Sequence, residues 1–169
     1  MSDCWGKDDS EQNLLSLALP TVSLVRCPTC AELERLLERG ECLVEETGSF
    51  LAVVPFAAQR PFEQQLVPKR HHASFADTTA DELDDLAPLL RRALQRLSMA
   101  HKDPPYSFVI ESGGCPEKHG RYLHWCLRIA PDLVTWAGFE LGAGMLINPS
   151  QPEKDAEVLR AAGVAKGPR

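Results

Sequence analysis

Alternation of apolar and polar positions is clearest between Arg121 and Pro131, read as R-Y-L-H-W-C-L-R-I-A-P. Leu123, Trp125, Leu127 and Ile129 fall on one side, and His124, Cys126, Arg128 and Ala130 on the other. A period of two predicts a β-strand with one buried face. The second face carries an imidazole and a thiol two residues apart, so both point the same way. Elsewhere the period changes. Leu83, Leu86, Leu89, Leu90, Ala93, Leu94 and Leu97 recur at helical spacing. They predict one long amphipathic helix reaching about His101, with Pro88 a local kink. Asp77-Thr78-Thr79 reads as its start, with Asp81 and Glu82 in the first turn, where negative charge suits the helix dipole. Pro104-Pro105 stops it.

Shorter signals fill the remaining chain. Ala31 to Glu38 has helix-forming composition, with Leu33, Leu36 and Leu37 on one face and Gly40 placed to end it. Glu41 to Glu46 and Ser49 to Pro55 read as strands around a Thr47-Gly48 turn, and Phe62 to Pro68 as a third. Tyr106 to Glu111 is a fourth strand, Ser112 to Gly120 a Gly-rich loop, and the alternating run the fifth strand. The glycines between Trp136 and Asn148 suggest tight turns or a close approach of backbone to a ligand. Glu153 to Ala162 is a final helix. Residues 1 to about 12 read as a polar tail, and Leu14 to Leu24, broken by Pro20, as a short helix and then a strand. There is no internal repeat. The sum is an α+β protein: five strands in a mostly antiparallel sheet, one long helix and additional short helices.

Composition narrows the function classes. A chain of 169 residues suggests one domain, large enough to bury roughly two-thirds of its unfolded surface without disulfide staples. Its net charge of −6 argues against broad affinity for nucleic acid. No apolar run approaches the ~20 residues needed to span a bilayer, so no membrane role is expected. The polar, acidic N-terminus does not read as a secretory signal, and a cytoplasmic protein is expected. In that reducing compartment the six cysteines, Cys4, Cys27, Cys30, Cys42, Cys115 and Cys126, are expected as thiols or metal ligands rather than disulfides. Cys42 lies among apolar residues and reads as an inert core thiol.

Cys27-Pro28-Thr29-Cys30 is a C-x-x-C knuckle that presents two thiolates from one tight turn, suited to a tetrahedral zinc ion. The rival is a thioredoxin-like redox pair, but that expects a βαβ context, and this knuckle precedes the first strand of the sheet. Two more ligands are required. His71, at the end of the third strand, and His124, in the fifth, are the best candidates, with His72 able to substitute for His71. His101 and His119 read as surface or loop residues.

The runs P-F-E-Q-Q-L-V-P-K-R-H, L-H-W-C-L-R-I-A-P, W-A-G-F-E-L-G-A-G-M-L-I-N-P and P-E-K-D-A-E-V-L-R occur here in this order. Together they resemble the galactose-1-phosphate uridylyltransferase family of the histidine-triad superfamily, and more narrowly the C-terminal half of such a transferase. The resemblance covers about Cys27 to Arg160, which implies a single histidine-triad-like domain over residues 26–165 behind an N-terminal arm, 1–25. It implies a five-stranded antiparallel sheet with a long helix, often paired into a two-fold dimer or a pseudo-dimer of repeats. It also implies a zinc site of Cys27, Cys30, His71 and His124.

In that superfamily the second histidine of the triad strand attacks the α-phosphorus. The matching position here is Cys126, and the third triad position is Arg128. A neutral imidazole is a good nucleophile near pH 7 and its phosphoramidate transfers its load readily. A cysteine nucleophile wants an anion-binding loop, for which Ser112-Gly113-Gly114 is a faint candidate. Cys126 therefore keeps three readings: a buried thiol, a further metal ligand, or a degenerate nucleophile. The resemblance implies sugar contact for Glu140, and by a weaker analogy for Asn148. Phosphate contacts could come from Arg128, Lys69 and Arg70. The expectation is a zinc-binding domain that holds a nucleotide or sugar phosphate with little or no catalysis, alone, as a homodimer, or beside a partner catalytic half. The alternative is an active nucleotidyltransferase or nucleotide hydrolase acting on nucleotide sugars or dinucleotides.

Overall fold

A computed structural model describes residues 27–113, 120–135 and 137–162. Expectations for the N-terminal arm, Cys4, Cys115 and His119 lie outside the described residues. Helix α1 (Pro28–Arg39) is followed by strands β1 (Leu43–Glu46), β2 (Phe50–Val53) and β3 (Gln64–Pro68). A 3-10 turn (Phe75–Asp77) leads into α2 (Ala80–His101), then β4 (Tyr106–Glu111), β5 (Cys126–Pro131), α3 (Gly138–Ala143) and α4 (Pro152–Ala161). The strands form one sheet in the order β1-β2-β3-β5-β4, and each neighbouring pair is antiparallel. This is the α+β architecture expected from the sequence.

Local chemistry sets the element ends. Gly40 takes φ +70° and its N–H bonds Leu36 O at 2.7 Å, closing α1 with the left-handed turn glycine adopts freely. At the start of α2, Thr79 Oγ1 accepts from Glu82 N while Glu82 Oε2 accepts from Thr79 N, a capping box that satisfies two orphan donors. Pro88 lies inside α2, which continues to His101. The hairpin between β1 and β2 is pinned to this helix by Asp85 Oδ2, which accepts from Thr47 Oγ1 and Ser49 N at 2.7 Å each.

The first strand begins at Leu43 rather than Glu41, the second spans Phe50–Val53 rather than Ser49 to Pro55, and the third and fifth also begin late. The third strand begins at Gln64, not Phe62, because Phe62 sits at φ +60°, outside extended space. Its N–H donates to the buried Asp155 carboxylate of α4 at 2.9 Å, which holds that turn. The fifth strand begins at Cys126, not Arg121. His124 therefore lies just ahead of the ladder, and Trp125 is anchored instead by its N–H to His72 O at 2.8 Å.

Both faces of the sheet are covered near its centre. On one, Phe50, Leu66, Trp125, Leu127 and Ile129 pack against Leu86, Leu89 and Leu97 of α2 and Leu159 of α4. On the other, Leu51, Val53, Val67 and Cys126 pack under Leu33 of α1. All four residues of β2 are buried, which explains why F-L-A-V carries no alternation. The two sheet edges differ. Arg160 Nη1 donates to the carbonyls of Glu41 and Leu43 and plugs the β1 edge. Strand β4 leaves Phe108, Val109 and Ile110 exposed at the other.

Candidate functional site

Four donor atoms converge at one end of the sheet. Cys27 caps α1, Cys30 sits in its first turn, His71 lies just past β3, and His124 just before β5. Their ligand atoms all fall within 4.8 Å of one another. Cys30 Sγ stands 3.3 Å from His71 Nδ1 and 3.4 Å from His124 Nδ1, and Cys27 Sγ stands 3.9 Å from His124 Nδ1. Two donors on a tetrahedral ion at ordinary S and N bond lengths would be about 3.6 Å apart. The set therefore fits a four-coordinate metal.

The outer nitrogens support the same reading. His71 Nε2 lies 2.9 Å from Gly120 O, and His124 Nε2 lies 2.8 Å from Pro68 O. A carbonyl can only accept, so each Nε2 carries the proton and each Nδ1 turns its lone pair toward the thiols. This backbone tether is the outer support that orients imidazole ligands. Burial pushes the His124 pKa down, which keeps the ring neutral and able to ligate. The site joins a helix start to two segments 41 and 94 residues further along the chain.

The other histidines do something else. His72, the substitute candidate, is buried and turned away, with Nε2 3.5 Å from Glu82 Oε1. His101 stacks edge-on against Phe62 with ring centroids 4.0 Å apart.

One side chain further along, the chemistry changes. Cys126 is buried and its thiol faces Glu111 Oε2 at 3.5 Å. Burial, then the nearby Glu111 carboxylate, push its pKa up to about 12. Among the described residues, the donors that converge for a metal do not include Cys126. Arg128 is held by Glu111, with Glu63 Oε1 3.9 Å from its other nitrogen. Lys69 and Arg70, expected as phosphate contacts, are engaged by Glu46 and Glu82 respectively. Ser112 Oγ accepts from Phe75 N and Gly113 N donates to Ala73 O, so neither presents a bare anion loop. Glu140 accepts from Ala137 N at the start of α3. Asn148 bridges Ala58 O and Ser150 N, a brace for the segment before α4.

The sequence reading did not single out Glu63, Gln65 or Glu111. Strand register brings them in. Gln65 stands opposite Arg128, and Glu111 opposite Cys126. Glu63 shares their face because Gln64, next to it, turns its side chain inward to Ala93 O. Beside this strip, Leu33, Leu36, Val53, Phe56, Gln65 and Val67 line a largely apolar cleft of about 280 Å³. Thr29 of the knuckle also contributes to its lining.

The described residues contain no helix long and apolar enough to cross a membrane. No family model matches the chain. The fold is that of histidine-triad proteins: a zinc-bound histidine triad family protein from Mycobacterium smegmatis superposes at a TM-score of 0.57, covering 80% of this chain and 91% of that one at 18% identity. Nearer relatives are longer. The ADP-glucose phosphorylase of Arabidopsis thaliana is 38% identical over 120 residues, 70% of this chain and 34% of that protein. The galactose-1-phosphate uridylyltransferase of Thermotoga maritima is 31% identical over 147 residues, 82% of this chain and 46% of that protein. The structure of an Arabidopsis ADP-glucose phosphorylase with bound ADP-glucose superposes at a TM-score of 0.69 and 33% identity, covering 86% of this chain and 52% of that one. The chain belongs to the galactose-1-phosphate uridylyltransferase family. It spans about a third to a half of the length of the curated relatives it matches.

Proposed function

We propose that this chain is a zinc-holding domain that binds a nucleotide or nucleotide sugar and does not use position 126 for nucleotidyl transfer. Zinc is the metal that a Cys2His2 set with both imidazoles held through Nδ1 suits best. One observation carries the ligand reading. Gln65 is part of the lining of the apolar cleft beneath α1, and it stands directly opposite Arg128. A flat base in the cleft would put its phosphates over the Arg128 guanidinium, an arrangement typical of small-molecule sites with few convergent polar groups. Binding of ADP-glucose in a relative supports the same ligand class.

Position 126 supports weak or absent catalysis on geometry alone. A thiol packed among Leu33, Leu51, Val53 and Val67 offers no imidazole lone pair to phosphorus. In the alternative, an active nucleotidyltransferase or hydrolase on nucleotide sugars or dinucleotides, Cys126 or a histidine such as His119 or His72 takes the nucleophile's role. Glu140 and Asn148 remain sugar-contact proposals of the family resemblance, in a cytoplasmic domain spanning residues 26–165. A second copy of this chain, or a separate catalytic half, is the proposed partner along the open β4 edge, where Phe108 is 56% exposed.

Metal analysis of protein purified without added metal should find about one zinc per chain, and its absence would refute the zinc assignment. ADP-glucose or UDP-glucose should raise the melting temperature without leaving a covalent nucleotidyl group. An adduct lost on Cys126→Ala would establish the catalytic alternative. Light scattering and co-purification separate a homodimer from a complex with a catalytic half.

A further inference from the structure

Given the nucleotide-binding reading above, on which this rests, we propose that Glu63 and Glu111 form a charge gate on Arg128. The gate sets how strongly the site takes phosphate, and its natural setting is weak. Arg128 shares its strip with two carboxylates, and both lie against it. The pair of acids and one guanidinium sum to −1, so an arriving phosphate meets a net negative charge rather than a free arginine.

The two acids hold Arg128 for different reasons. Glu63 is 2% exposed, and burial pushes its carboxyl pKa up. Its Oε2 already accepts from Gln59 N at 3.0 Å, which leaves Oε1 facing Arg128. A buried carboxylate whose counter-charge is drawn away to a phosphate is costly, so Glu63 resists release of the arginine. The turn that delivers Glu63 is held by Asp155 through the strained residue Phe62, so the carboxyl cannot easily retreat. Glu111 is the outer half of the gate. Its carboxylate is half exposed, takes the other side of Arg128, and accepts a hydrogen bond from the Cys126 thiol. The cysteine that stands in the nucleophile's place therefore helps hold the gate shut.

The gate predicts a gain of function. Removing one negative charge about 6 Å from a bound phosphate, at an intermediate effective dielectric, should tighten binding about tenfold. Titration calorimetry would compare wild type, Glu111→Gln, Glu63→Gln and Glu111→Gln/Arg128→Gln, with ADP-glucose and with phosphate-free adenosine as probes. The expected result is tighter ADP-glucose binding in both single Gln variants, no change for adenosine, and loss of the gain when Arg128 is also replaced. Glu111 is exposed enough for its variant to fold whatever Glu63→Gln does. If wild type binds ADP-glucose and Glu111→Gln binds it equally or more weakly, the acids position Arg128 rather than gate it and the proposal falls. If adenosine tightens in step with ADP-glucose, the effect is not on phosphate and the proposal falls as well. If no variant binds either probe, the nucleotide-binding reading itself is wrong, and the gate falls with it.

Discussion

His124 and Cys126 are two residues apart, yet their surroundings have opposite logic. At His124 the donors face each other: two thiols and two imidazole Nδ1 atoms within 4.8 Å, a set that could hold a metal ion. At Cys126 the groups already complete each other: thiol to Glu111, Glu111 to Arg128, Arg128 to Glu63. One end gathers donors that could hold a metal ion. The other has its charges paired and gains least from a new ligand. A strand that offers two reactive side chains in sequence thus offers one in the folded protein.

The same substitution at the two ends should separate them most. Cys30→Ala removes a donor from the proposed zinc site, where binding free energy would be folding free energy, and should cost on the order of several kcal/mol and abolish stoichiometric zinc. Cys126→Ala should cost only about 1 kcal/mol and leave zinc content unchanged. Denaturant melts with metal analysis on both variants check this, and equal losses would erase the contrast. Next in size is Arg128→Met, which strands the buried Glu63 carboxylate. It should destabilise by about 2 kcal/mol, and Glu63→Gln added to it should recover part of the loss, read as a double-mutant cycle.

A smaller effect comes from a paired carboxylate remote from this strip. Arg70 beside Glu82, with the Thr79 N–H, holds the Glu82 pKa down to about 2. A carboxylate whose folded pKa is depressed contributes stability that is present above its unfolded pKa, roughly 4.3. That contribution fades as pH falls toward about 2. Wild type should therefore exceed Glu82→Gln in stability near neutrality, and the two thermal melting curves should converge as pH approaches 2. Persistent separation at low pH would mean that the helix cap, not the charge, is what Glu82 contributes.

Much of the fold was legible because its signals are local. Helical spacing marked α2 and Gly40 marked the end of α1, and β4 was read with its observed bounds. The beginnings of β3 and β5 were not, because they depend on distant partners: Asp155 holding Phe62 out of extended space, and His72 O claiming the Trp125 N–H. The metal ligands were legible as types, since a C-x-x-C knuckle announces itself and few histidines compete. The bonds from Pro68 O and Gly120 O that aim both Nδ1 atoms inward were not, because any residue supplies a carbonyl.

By itself, then, the sequence determined the order of elements, the family and the identity of four candidate ligands, all carried by residue type at short spacing. Only the tertiary structure decided what Cys126 and Arg128 face. Glu63 and Glu111 look like ordinary acids in the chain and meet Arg128 through antiparallel register, a relation between strands that no local pattern encodes.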